Sequence, residues 1–217
     1  MNKYKIVLFD LDGTLTDPGD GITNSVAYAL KKYGIEVENK RDLFKFIGPP
    51  LYESFKMFYG FSEEQSREAI KYYREYYSDT GIYECKLYDG IKELLRILKN
   101  AGLKIVLATS KPDFFAVRVL EHYDILKYFD FVGGASEDEK TRGTKEAVLE
   151  YIFNEMKIEN RENVIMIGDR HYDINGAKEF SIDSIGVLYG FGTKEELENA
   201  GATYIANDTK AIEKILL

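Results

Sequence analysis

Cysteine is nearly missing: Cys85 stands alone among 217 residues. No disulfide can close within such a chain, which suits a reducing compartment, and the residue is expected as a small buried apolar side chain. Long apolar runs are also lacking. None approaches the ~18 residues that span a bilayer, and the stretch from Ile6 to Phe9 is interrupted by acids too soon for a signal peptide. No membrane contact and a cytoplasmic location are therefore expected. Positive charge is short as well, with 29 Lys and Arg against 37 Asp and Glu and a net charge of −8. Binding to a nucleic-acid polymer needs clustered cations, so that class is excluded, and an anionic ligand must be attracted locally. Internal repeats, low-complexity tracts and heptads are absent. What remains is a chain of ordinary globular composition, sized for one or two domains.

Short apolar runs bounded by turn residues fall at residues 5–9, 103–109, 130–132, 164–168, 184–189 and 203–206. Most alternate with helical spacing, which predicts a parallel sheet flanked by helices. Ile91, Leu94, Leu95 and Leu98 mark one crossover helix, and Phe114, Val117 and Leu120 another, with Pro112 in its first turn. Between residues 17 and 86 strand signals vanish and helices are expected at 22–33, 41–46, 51–58 and 63–77. The predicted architecture is thus a Rossmann-like α/β core (residues 1–16 and 87–217) with an inserted all-helical cap (17–86). The tyrosines at 72, 73, 76 and 77 form a broad face on the last of these helices, expected to pack rather than to stack on bases.

The chemistry lies where apolar runs end in acids. Ile6-Val7-Leu8-Phe9 is followed by Asp10-Leu11-Asp12-Gly13-Thr14, and residues i and i+2 of an extended chain point to one side. Two carboxylates about 4 Å apart repel by roughly 4 kcal/mol at an effective dielectric of ~20, so a cation or a shared proton is implied. A second run, Ile165-Met166-Ile167-Gly168, releases Asp169 and then Asp173. Parallel strands place such tips on one edge, where open α/β sheets bind ligands, so Asp10, Asp12, Asp169 and Asp173 are expected to meet there if the two strands are neighbours. Four clustered carboxylates call for a hard cation, most simply Mg²⁺. A third run ends in Thr109 and Ser110, hydroxyls able to bond an anion or to satisfy a turn. Lys145 follows the N-cap candidate Thr144 at the positive end of a helix, a placement that favours a nearby anion; Lys140 and Arg142 stand close enough to serve instead. His122 reads as a helix-end residue, and His171, amid the second acidic cluster, is not expected to ligate a hard cation.

These segments, in this order, resemble the haloacid dehalogenase-like superfamily of aspartate-nucleophile phosphatases over nearly the whole chain. Asp10 to Thr14 match its first motif, Thr109-Ser110 its second, Lys145 its third, and Gly168-Asp169 through Asp173 its fourth. Many relatives carry a Lys-Pro pair in the third motif, where Lys145 precedes Glu146. Among members, the chain is similar to phosphoglycolate phosphatase-like and 5′-nucleotidase-like enzymes with a small helical cap. The resemblance implies that Asp10 is the nucleophile and Asp12 the general acid and base. It also implies Mg²⁺ held by Asp10, the backbone carbonyl of Asp12 and Asp169, with Asp173 in the outer shell, and Thr109, Ser110 and Lys145 binding the phosphoryl group. A small phosphorylated metabolite is the expected partner, with Arg41, Lys45 and Gly48 in the cap as specificity candidates.

A sugar-phosphate mutase shares this motif set and is the nearest alternative. A 2-haloacid dehalogenase needs neither Asp12 nor a metal. A receiver-like phospho-signalling domain gathers similar residues, but it is ~120 residues long and has no insert after its first strand.

Overall fold

The computed structural model describes residues 2–137 and 141–217. Its strands are β1 (Ile6–Phe9), β2 (Thr16–Asp17), β3 (Lys86–Leu87), β4 (Lys104–Pro112), β5 (Phe131–Ala135), β6 (Val164–Gly168), β7 (Asp183–Val187) and β8 (Tyr204–Ala206). The helices are α1 (Gly19–Lys31), α2 (Leu51–Tyr59), α3 (Glu63–Tyr77), α4 (Ile91–Asn100), α5 (Asp113–His122), α6 (Lys145–Glu155), α7 (His171–Glu179), α8 (Lys194–Ala200) and α9 (Thr209–Leu216). No helix among the described residues is long and apolar enough to cross a membrane.

Cα proximity divides the chain into two compact units, one of residues 1–17 and 87–217 and one of residues 18–86. The first is a parallel sheet in the order β5-β4-β1-β6-β7-β8, while β2 and β3 make a two-stranded sheet of their own. Phe9 lies level with Leu107 of β4 and with Ile167 of β6. Asp10 and Asp169, the residues that follow β1 and β6, therefore leave the sheet within one residue of the same height on its carboxyl edge, while β4 runs on to Pro112. β1 is also where the strand order reverses, since the chain runs outward through β4 and β5 and then returns to β6. Such switch points open a crevice in α/β sheets. β1, β6 and residues 105–108 of β4 are apolar because helices cover them: Leu8, Val106 and Met166 share one core with Val148, Leu149 and Ile152 of α6 and Ala177 of α7. Pro112 closes β4 and caps α5 with φ of −51° and ψ of 133° rather than entering the helix. The reason is that the pairing of β4 with β5 shifts register between Ala108 and Pro112, carrying extended backbone past the expected end at residue 109.

The second unit is helical, and a 3-10 turn, Lys40–Phe46, replaces the helix expected at 41–46. Its core is aromatic. The Phe46 and Phe55 ring centroids are 5.1 Å apart and Phe55 stacks on Phe61 at 7°. α3 starts with a capping box in which Ser62 and Gln65 satisfy each other's backbone N–H groups. Its tyrosines pack: Tyr73 and Tyr77 are buried and stacked at 5.1 Å. The hydroxyls of Tyr72 and Tyr76 donate to Glu68 and Glu84. Cys85 is half-buried rather than buried, and its thiol donates to the Ile82 carbonyl at 3.2 Å.

Candidate active site

Asp10 is the first residue beyond β1, and its N–H still donates to the Ile167 carbonyl at 2.9 Å. The sheet thus fixes the backbone of Asp10 while its side chain emerges at the carboxyl edge. Gly13 then turns the chain with φ of 91°. A methyl group there would sit 2.2 Å from an Asp169 carboxylate oxygen. Glycine is required both by the left-handed backbone and by the nearness of Asp169.

Asp169 follows β6 directly and is fully buried. The Phe191 N–H donates to its Oδ2 at 2.8 Å, and the Thr14 hydroxyl lies 3.4 Å from its Oδ1. Asp173, in the first turn of α7, accepts the Arg170 N–H on Oδ2 at 3.1 Å. One carboxylate oxygen from each of Asp10, Asp169 and Asp173 lies within 4.8 Å of the others. Lys145, at the start of α6, is 4% exposed. Its Nζ is 2.8 Å from Asp10 Oδ1 and 2.8 Å from Asp173 Oδ1, and it donates to the Ala108 carbonyl at 2.7 Å. A cation at a helix's positive end is thus compensated by two anions. Lys140 lies outside the described residues, and Arg142 is turned to Asp113 at 2.8 Å and to the Tyr151 ring.

Asp12 departs from the expected four-acid cluster. β1 ends at Phe9, so strand alternation does not persist through the turn, and the Asp12 carboxylate faces Lys111, whose Nζ donates to Oδ1 at 2.7 Å. The arrangement is a triad of acids around Lys145 with a separate acid–lysine pair beside it. Lys111 carries no local signal of this role in the sequence, although it stands two residues beyond Thr109. Thr109 is buried with its hydroxyl accepting the Lys111 N–H at 3.2 Å, the satisfied-turn arrangement, and Ser110 beside it is half-buried. Arg41, Lys45 and Gly48 belong to the helical unit. Arg41 and Lys45 are exposed, Lys45 over the Phe58 ring at 4.7 Å, and Gly48 has φ of 104°. His171 is held by Glu196, 2.7 Å from Nδ1.

The electrostatics follow from burial. Desolvation pushes the Asp169 carboxyl well above the usual range, and the charges of Asp173 and Asp10 push it further. Desolvation likewise raises Asp173 to about 6, with Lys145 restraining it and Asp10 adding to it. Burial also raises Asp12, while Lys111 pulls it back. For Lys145 desolvation acts downward, but Asp10 and Asp173 outweigh it and hold the ammonium above its ordinary value. Three carboxylates against one ammonium leave negative charge unbalanced in a dry site. An all-oxygen donor set of this kind fits a hard divalent cation.

Residues 7–187 match the family of haloacid dehalogenase-like hydrolases, and the chain belongs to that family. It is 41% identical to a 5′-nucleotidase of Pseudomonas aeruginosa, over 99% of this chain and 96% of that one. A tyrosine-protein kinase, PtkA of Mycobacterium tuberculosis, is 36% identical over 94% of this chain and 68% of its own length. Among solved structures, a predicted phosphatase from Clostridium acetobutylicum superposes with a TM-score of 0.94, at 50% identity and with 97% of each chain covered. The fold, the motifs and these neighbours class the chain with the family's phosphatases.

Proposed function

We propose that this chain is a Mg²⁺-dependent phosphatase that hydrolyses a small phosphorylated metabolite, a nucleoside 5′-monophosphate or a phosphorylated two- or three-carbon acid, through an aspartyl-phosphate on Asp10. The observation that carries the reading is the buried Lys145 bridging Asp10 and Asp173 beside Asp169. It holds a carboxylate nucleophile next to fixed positive charge. In the first half-reaction Asp10 attacks phosphorus, the ester P–O bond breaks, and the leaving oxygen takes a proton from Asp12. Burial favours the neutral, donating form of Asp12. In the second, Asp12 takes a proton from the water that attacks the acyl phosphate, freeing inorganic phosphate and regenerating the Asp10 carboxylate.

Lys145, with Thr109 and Ser110, binds the transferring phosphoryl oxygens. Asp10, Asp169 and the Asp12 carbonyl would hold the Mg²⁺, with Asp173 in its outer shell; when bound, the ion would supply charge that masks the phosphate's own. The helical unit, residues 18–86, acts as the cap, with Arg41, Lys45 and Gly48 as specificity candidates.

The test is phosphate release from para-nitrophenyl phosphate and from a panel of nucleoside monophosphates and phosphorylated acids. Activity is expected to need Mg²⁺, to vanish in EDTA and to vanish in Asp10→Asn. Undiminished turnover in that variant refutes the nucleophile. The likeness to PtkA favours one second reading, phosphoryl transfer to a tyrosine hydroxyl. Phosphotyrosine formed on an added peptide when a nucleoside triphosphate is supplied as the donor, with nucleoside diphosphate as the leaving product and no release of inorganic phosphate, decides for it.

A further inference from the structure

The acids of the fourth motif sit on a turn, and what fixes that turn comes from elsewhere in the chain. Glu196 in α8 places one oxygen, Oε1, 2.9 Å from Arg170 Nε, 3.0 Å from the His171 N–H and 2.7 Å from His171 Nδ1. His171 opens α7, whose first N–H groups have no partner within the helix. Asp173 Oδ2 caps the same helix from inside by accepting the Arg170 N–H at 3.1 Å. Two carboxylates therefore share the start of α7. Glu196 takes the His171 N–H, which leaves Asp173 to take that of Arg170 and to present Oδ1 to Lys145 at 2.8 Å. Glu196 is in turn held by the Thr193 hydroxyl, which accepts its N–H at 3.1 Å.

The chain leading to Glu196 grips the same turn at a second point. Phe191 donates its N–H to Asp169 at 2.8 Å. Gly192 passes so near that a methyl group there would lie 1.9 Å from the Asp169 carbonyl oxygen. Phe191, Gly192 and Glu196 thus touch the fourth motif at Asp169, Arg170 and His171. Burial works against ionisation of Glu196, but its contacts with His171 and Arg170 hold its carboxyl down to about 2.

We infer that Glu196 is a positioning residue for the cation site, fixing the turn of residues 169–173 so that Asp169 and Asp173 converge with Asp10. The inference rests on the metal reading proposed above. Outer contacts that orient metal-binding side chains are commonly worth 10–100-fold in metal affinity. Removing Glu196 takes away the acceptor of the His171 N–H, so Asp173, the other carboxylate at the start of α7, is drawn toward that donor and away from Asp10.

The experiment is Mg²⁺ titration by calorimetry without substrate, on the full chain and on Glu196→Ala and Glu196→Gln, with thermal midpoints in EDTA alongside. Glu196→Gln keeps an acceptor oxygen and serves if the alanine variant folds poorly. Expected is a Mg²⁺ Kd weakened about 10–100-fold in Glu196→Ala, an intermediate loss in Glu196→Gln, and a weaker Mg²⁺ requirement curve in turnover with kcat at saturating Mg²⁺ retained. A Kd equal to that of the unaltered chain in both variants, with only the EDTA midpoint lowered, overturns the inference and leaves Glu196 a structural cap. Failure of the unaltered chain to bind Mg²⁺ sinks the metal reading itself, and this inference with it, so the two failures read differently.

Discussion

Replacing Lys145 by methionine removes the charge and keeps most of the volume, and its consequence follows from two distances. At 2.8 Å from Asp10 and 2.8 Å from Asp173, each contact contributes about 6 kcal/mol of gross attraction at an effective dielectric of ~20. Most of that is offset by the desolvation of three buried charges. What the substitution leaves is a pair of uncompensated buried carboxylates, a situation that costs about 3–5 kcal/mol. For a chain of this size, each kcal/mol moves the thermal midpoint by roughly 2–4 °C. In EDTA at pH 8, Lys145→Met is therefore expected to melt about 6–20 °C below the unaltered chain. Saturating Mg²⁺ is expected to return part of the loss, because the substitution makes the acid cluster more negative and a bound cation stabilises the folded state. Turnover is expected to fall by orders of magnitude even so, since the phosphoryl group loses its ammonium. A midpoint in EDTA within about 1 °C of the original, the behaviour of an ordinary surface lysine, refutes the claim that this ammonium compensates the buried acids.

Three further expectations rest on other contacts. In EDTA the unaltered chain should lose stability as pH rises from about 4 to about 6: folded Asp173 keeps its proton up to about 6, whereas an unfolded aspartate releases it near ~3.9, so the folded state binds more protons in that window. Urea midpoints across that range check it, and Mg²⁺, which needs the ionised acids, should flatten or reverse the slope. Gly13→Ala meets both a φ of 91° and the Asp169 carboxylate at 2.2 Å; about 1–3 kcal/mol of backbone strain is expected, with weakened Mg²⁺ binding by calorimetry, and a wild-type Kd there contradicts the close approach. In the helical unit, Phe46→Ala opens a cavity between Phe55 and Phe58 and should cost about 3–5 kcal/mol, seen as a lower urea midpoint.

How far the sequence could be read depended on how local each signal was. Buried parallel strands read as continuous apolar runs, so β1, β4 and β6 announced themselves, and each acid at a tip marked the carboxyl edge. The bounds expected for helix α3, residues 63–77, coincide with those observed, and its start is fixed locally by the capping pair Ser62 and Gln65. The two-residue strands β2 and β3 carry no periodicity to read, and α7, largely polar, shows little apolar spacing. The partner of Asp12 was hidden for a different reason. Lys111 reaches it across 99 residues of chain, and Glu196 reaches His171 across 25. Such pairs exist only after the sheet has set its register. Where an acid stands is therefore a property of the strand that ends before it, while which cation faces it is decided by neighbouring loops. That difference is why the acids could be named from the sequence, whereas their division into a Lys145 triad and a Lys111 pair had to come from the fold.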